Sequence, residues 1–193
     1  MKVRWNACYA IGNIMRNSAL YSDNFSWQNA VFTTLSKLVQ DFRNFKVRIN
    51  AALALCVPSC REYYGTYYIS VWSALLNALD NSQNMEDFSE YKHRDNLLDQ
   101  ICLTLSHLAS VATRDDLVLL HDVLTFHLDT LQNHLLKFHE RVVPEKANAL
   151  SSAASHAASL LQLPGLTSNQ HSAAALLTSI FLHDKELHTY NMF

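Results

Sequence analysis

The chain has 193 residues, 49% of them hydrophobic, enough apolar surface for one core or two small ones. Three glycines and three prolines, against roughly 14 and 10 at average usage for this length, argue against a many-stranded β fold, whose turns depend on those residues. The net charge of −2 hides an asymmetry: residues 1–61 carry eight basic side chains (Lys2, Arg4, Arg16, Lys37, Arg43, Lys46, Arg48, Arg61) against Asp23 and Asp41, and the acidic excess lies in the rest.

The first segment, Lys2 to Ile14, is helical by pattern. At about 100° per residue, Val3, Ala7, Ala10, Ile11 and Ile14 share one face. Trp5, Tyr9 and Gly12 form a second stripe. Trp27 to Val39 is an amphipathic helix through Ala30, Val31, Leu35, Leu38 and Val39, with Asp23, Asn24 and Ser26 as N-terminal caps. Lys46 to Leu55 then repeats Lys2 to Ile11, six of ten positions being identical at an offset of 44 residues. Such a period belongs to arrays of helical pairs. Val47, Ala51, Ala54 and Leu55 form the same face as in the first copy, and Ile49, Leu53 and Cys56 a second stripe. A helix apolar on several sides is buried on several sides.

The two copies, Val3-Arg4-x-x-Ala7-x-x-Ala10-Ile11 and Val47-Arg48-x-x-Ala51-x-x-Ala54-Leu55, resemble the second-helix signature of the HEAT repeats, of the armadillo-type helical-repeat class. That resemblance implies an all-α fold, an α-solenoid of helix–turn–helix units, and a scaffold that presents its surface to protein partners. It also implies that the arginine pairs with an aspartate in the turn before its helix. Asn44 stands where that aspartate would be, so the arginine–aspartate ladder is expected to be weakened.

Further along, Tyr67 to Leu79 reads as the next first helix, 80–90 as a polar loop, and Lys92 to Ala112 as the next second helix, its motif reduced to His93-Arg94. Leu117, Leu120, Leu124, Leu128, Leu131, Leu135, Phe138 and Val142 recur every three or four residues with no Gly or Pro between them, which predicts one long helix. Pro144 suits the first turn of the following helix, where Ala147, Leu150, Ala154, Ala157 and Leu161 predict close antiparallel pairing with the long one. Leu163-Pro164-Gly165 ends that hairpin, and Gln170 to His183 forms a last short helix. The expected organisation is HEAT-like repeats over 1–112, the first incomplete, a helical hairpin cap over 113–183, and a tail over 184–193.

Catalysis has little support in the pattern. There is no GxSxG elbow, and Gly12, Gly65 and Gly165 are too far apart for a phosphate-binding loop. His121, His127, His134 and His139 lack the spacing of a zinc-binding helix. The sharpest enzyme alternative is a metal phosphohydrolase built on His121-Asp122, His183-Asp184 and His107, where carboxylates and imidazoles would hold water-activating metals. Cys56 and Cys60 are spaced wrongly for a CxxC motif, and the four cysteines are expected as reduced thiols in an intracellular, cytoplasmic or nuclear protein. No signal peptide is expected, since Asn6 and Asn13 interrupt the first apolar stretch, and no apolar run reaches the roughly 18 residues of a membrane span.

The function expected is therefore a non-catalytic scaffold, with no catalytic, metal or cofactor site. Its partner-binding candidates are Lys2, Trp5, Tyr9, Arg16 and Lys46. Trp5 and Tyr9 in the first copy are either a face that upstream HEAT repeats of the same chain would cover, or a partner's docking site. The alternative is a nucleic-acid-binding module using the basic end with Trp5, Tyr9 and Trp27, since basic grooves with aromatics hold single strands.

Overall fold

The computed structural model describes residues 2–21, 26–41, 44–83 and 93–182, and among them there is no strand. The helices are α1 (Lys2–Met15), α2 (Ser26–Asp41), α3 (Phe45–Leu55), α4 (Arg61–Tyr64), α5 (Tyr68–Asp80), α6 (Arg94–Val111), α7 (Leu117–Phe126), α8 (Leu128–Arg141), α9 (Pro144–Leu161) and α10 (Ser168–Phe181). They fall into two compact units, Met1–Thr104 and Leu105–Phe193, the division lying within α6. The cap candidates Asp23 and Asn24, and the tail, lie outside the described residues.

In the first unit α3 is the organising helix. Asn44, in extended backbone, accepts from the Val47 N–H at 3.3 Å and so satisfies one of the donors a helix start leaves open. Beyond its end stands Pro58, which cannot continue a helix. Between them α3 buries Phe45, Val47, Arg48, Ala51, Ala52, Ala54 and Leu55, so three sides are covered and Leu53 is left on the open one. Both α1 and α2 pack along α3, and α2 packs in turn on α5. Gly12 explains how α1 comes so near: a Cβ there would lie 3.4 Å from the Ala54 Cα. On another side of α3 the Thr104 hydroxyl lies 3.1 Å from the Ala52 carbonyl oxygen and 2.8 Å from that of Gln100, its own helix's alternative acceptor.

Aromatic rings of α2, of α4 and of Tyr21 pack together. Tyr21 and Tyr63 stack with centroids 3.8 Å apart, Trp27 meets the Tyr21 edge at 5.6 Å, and Phe32 lies 5.8 Å from Tyr64. Tyr64 is fully buried and donates to the Leu55 carbonyl at 2.8 Å, which satisfies its polar end. The α4–α5 turn needs Gly65, whose φ of 51° and ψ of −134° suit only a residue without a Cβ. Arg61 closes that turn, donating to the Gly65 carbonyl at 2.7 Å with its guanidinium 4.2 Å from the Tyr68 ring centroid.

The second unit departs from expectation in two places. The single long helix is two: α7 stops at Phe126, and α8 starts at Leu128. At His127 the backbone turns to φ −107° and ψ 11°; its N–H reaches the Leu124 carbonyl three residues back, and its own carbonyl accepts from Leu131. The apolar spacing survives the break, since Leu117, Leu120, Leu124, Leu131, Leu135 and Phe138 are all buried. Spacing reports which side faces the core, and a break that leaves the stripe pointing inward does not disturb it.

The expected hairpin partner is also replaced. α9 packs extensively on α10, and so does α7, so the last short helix is the centre of this unit rather than an addition to it. Small residues permit this approach: Ala153, Ala154 and Ala157 are buried on α9, and Ala173 and Ala174 on α10. Pro144 does open α9. Arg114 donates to the carbonyls of Pro164 (3.3 Å) and Gly165, tying the α9–α10 turn to the start of α7. Thr167 and Gln170 cap α10 reciprocally, at 3.0 and 3.3 Å.

Candidate interaction surface

The repeat makes each of Lys2–Ile11 in α1 comparable with the residue 44 places later, Lys46–Leu55 in α3. Val47 is fully buried, while Val3 is 79% exposed. Ala51 and Ala54 are buried, and Ala7 and Ala10 are exposed. Ile14, on the same side of α1 beyond the matched stretch, is 58% exposed. Arg48 is buried at 6% exposure, and Arg4 is exposed. The same sequence thus lies inside in one copy and outside in the other.

The face α1 does bury is the opposite one, Cys8, Gly12 and Met15, laid against α3. This corrects the expected packing of α1. The Val3–Ala7–Ala10–Ile14 stripe is open to solvent, with Ile11 half-buried at its edge. The Trp5–Tyr9–Gly12 stripe is not one surface: Gly12 is under α3, Trp5 is half-buried, and only Tyr9 is exposed. The reason is directional. α1 has α3 on one side, so the residues nearest α3 are covered whatever their type.

Arg48 shows what the motif arginine does when covered. Its Nε donates to the Val39 carbonyl at 2.8 Å and its Nη2 lies 3.5 Å from the Ala78 carbonyl, near the C-terminal ends of α2 and α5. The last carbonyls of a helix lack intrahelical donors and carry its negative dipole end, so a guanidinium is well matched to them. Those carbonyl partners take a role that the family resemblance gives to an aspartate side chain. Asn44 instead caps the helix. The signal for this role was Arg48's place one turn into a capped helix.

Of the other candidates, Lys2, Arg16 and Lys46 are all exposed on the first unit. Trp27 is half-buried, donates to the Leu20 carbonyl at 3.3 Å and packs against Tyr21. Arg43 lies outside the described residues. Burial raises the Cys8 thiol, and burial pushes Cys56 up to about 11, with the Thr104 hydrogen bond opposing it. None of the four cysteines is in a disulfide, and thiols held protonated by burial, as at Cys8 and Cys56, are poor nucleophiles.

In the second unit His121 Nδ1 lies 3.6 Å from Asp122 Oδ1, with Asp122 largely in solvent. His183 and Asp184 lie outside the described residues. Among the described residues no three His, Cys, Asp or Glu side chains are grouped to hold a metal, and no helix is long and apolar enough to cross a membrane. Phe126, at the α7–α8 break, is 82% exposed.

Against known proteins, the chain is 34% identical over 155 residues, 75% of its length, to an uncharacterized protein of Dictyostelium discoideum. It spans about a tenth of that protein's length. No protein-family model matches the chain, and no solved structure matches it.

Proposed function

We propose that this chain is a HEAT-like, armadillo-type scaffold: a segment of α-solenoid that acts within the cell by holding a protein partner rather than by catalysis. The observation that carries the reading is the translation of one packing scheme along the chain. α1 lies on α3 through its Cys8–Gly12 face, and the same face of α3, Ala52 and Cys56, meets Thr104 of α6. The outer helices follow the same order, α2 on α5. Stacked pairs of this kind build long shallow surfaces suited to macromolecular partners.

The contact residues proposed are Lys2, Tyr9, Arg16 and Lys46, exposed around α1 and the start of α3, with Trp5 contributing its accessible edge. A protein partner is favoured over nucleic acid because Arg48, Arg61 and Trp27, which raised the basic and aromatic content of this end, are engaged in internal contacts.

The test is site-specific photocrosslinking from position 9 in cells. One protein, crosslinked from position 9 and lost with Lys2→Glu/Arg16→Glu, is the expected result. Crosslinking to RNA or DNA, together with single-strand binding that falls steeply with salt, would replace the protein-scaffold reading with the nucleic-acid one.

A further inference from the structure

We infer that the solvent side of α7, where Val118, Leu119 and Phe126 stand among the carboxylates of Asp115, Asp122 and Asp129, is a docking surface for a basic amphipathic helix of another protein. This surface is separate from the α1 contacts proposed above and does not depend on them. At about 100° per residue Leu119 and Phe126 stand nearly in line, on the side of α7 opposite Leu117, Leu120 and Leu124. Those three leucines are fully buried, and α10 packs along α7. Phe126 is the most exposed large apolar side chain of the described residues, and Val118 and Leu119 are exposed as well. The break between α7 and α8 fixes the ring of Phe126. It meets the ring of buried His127 edge to face, with centroids 4.8 Å apart and planes at 79°. A large aromatic held in place and left in water has the form of an interface anchor.

The charge pattern selects the occupant. From Asp115 to Leu136 the chain has four aspartates and no lysine or arginine. Asp116 is buried in the capping box ahead of α7, whereas Asp115, Asp122 and Asp129 are exposed. Asp122 falls between Phe126 and Val118 around the helix, its carboxylate largely in solvent and 3.6 Å from His121 Nδ1. Asp129 lies in the first turn of α8. Carboxylates beside an apolar strip attract lysine and arginine and repel phosphate, so a basic protein segment matches the surface, and nucleic acid or an anionic lipid surface does not. The chain's own segments outside the described residues match it poorly, since 84–92 has three acidic residues to one basic and 183–193 two to one. Leu119 and Phe126 are seven residues apart, the spacing of a helix–helix seam. An extended segment would find no sheet edge to pair with among the described residues.

The surface can be tested on the whole chain by fluorescence anisotropy with a labelled synthetic helix of about 18 residues, roughly five turns. The peptide carries leucine and tryptophan along one side and lysines beside them; a second peptide has glutamate for each lysine. The lysine peptide should bind with a dissociation constant below about 50 μM, the glutamate peptide at least about tenfold more weakly. Phe126→Ser and Leu119→Ser should each weaken binding of the lysine peptide about tenfold or more. Asp115→Asn/Asp122→Asn should weaken it and flatten its loss of affinity with added salt. Tyr9→Ser should leave it unchanged, which separates this surface from the α1 contacts. All four variants alter exposed side chains, and unchanged circular dichroism melting guards against a variant that merely unfolds. Failure of the lysine peptide to bind, equal binding of the two peptides, or binding indifferent to Phe126→Ser would overturn the inference. So would a chain that light scattering finds dimeric and Phe126→Ser renders monomeric, because a second copy would then be the occupant.

Discussion

α1 and α3 share six of ten motif residues and are both helices, yet one is inside the first unit and the other at its edge. Helical periodicity accounts for what they have in common: each places Val, Ala, Ala and an aliphatic residue along one side. It cannot account for the difference, which is made by neighbours. α3 has α1, α2 and the first part of α6 against it, whereas α1 has α3. An apolar stripe is therefore a statement about what a helix can bury, and burial itself is decided by the elements that arrive.

That contrast can be put to the test by truncating matched pairs, beginning where the expected difference is largest. Leu55→Ala removes a fully buried side chain from α3 and should destabilise by about 3–5 kcal/mol. Ile11→Ala, its half-buried counterpart, should do so by about 1 kcal/mol. Urea denaturation monitored by circular dichroism measures both, and equal losses would break the comparison. Next is the arginine pair. Arg48→Ala strands carbonyls of α2 and α5 and should lower stability by about 2–3 kcal/mol, while Arg4→Ala should stay within about 0.5 kcal/mol. Calorimetric melting of the two variants ranks them directly, and a more costly Arg4→Ala would reverse the assignment of inside and outside.

A third measurement sharpens the account of the α3 end. Cys56 has an ordinary thiol value of 9.0 when unfolded and about 11 when folded. Because the folded value is the higher, its stabilisation is fully present below pH 9 and is lost as pH rises through about 11. Stability should therefore decline in that alkaline window in the parent chain and decline less steeply in Cys56→Ala. Labelling with a thiol reagent at pH 8 should be slow at Cys56 in the folded protein and fast in urea. The smallest effect expected is at the cap: Asn44→Ala should cost about 1 kcal/mol, detectable as a lowered urea midpoint, whereas Asn44→Asp should retain the cap.

Much of the first unit was legible because its information is local. The offset of 44 residues identified two equivalent helices, and Trp27, Tyr67 and Lys92 each lie within three residues of a helix start or just before one. The second unit was legible as helices but not as pairings. Nothing in the Leu117–Phe138 stripe marks the turn at His127, since no Gly or Pro is used there. The alanines of α9 announced a close neighbour without saying that it would be α10. At the candidate surface, Val3, Ala7, Ala10 and Ile14 were visible as a stripe, but a pattern shared by both copies carried no sign that one copy would lack a cover. The aromatics Trp5 and Tyr9 drew attention by composition, although the larger open face is aliphatic.

Native-state hydrogen exchange of the unmodified chain, comparing α1 with α3 amide by amide, is the most direct test of the repeat equivalence. The one-sided packing of α1 predicts exchange at least a hundredfold faster than in α3, with its slowest amides around Cys8 and Gly12, where it touches α3. Equal protection of both helices in a monomeric sample would contradict it, and would mean that α1 is held by contacts other than those that define its open face.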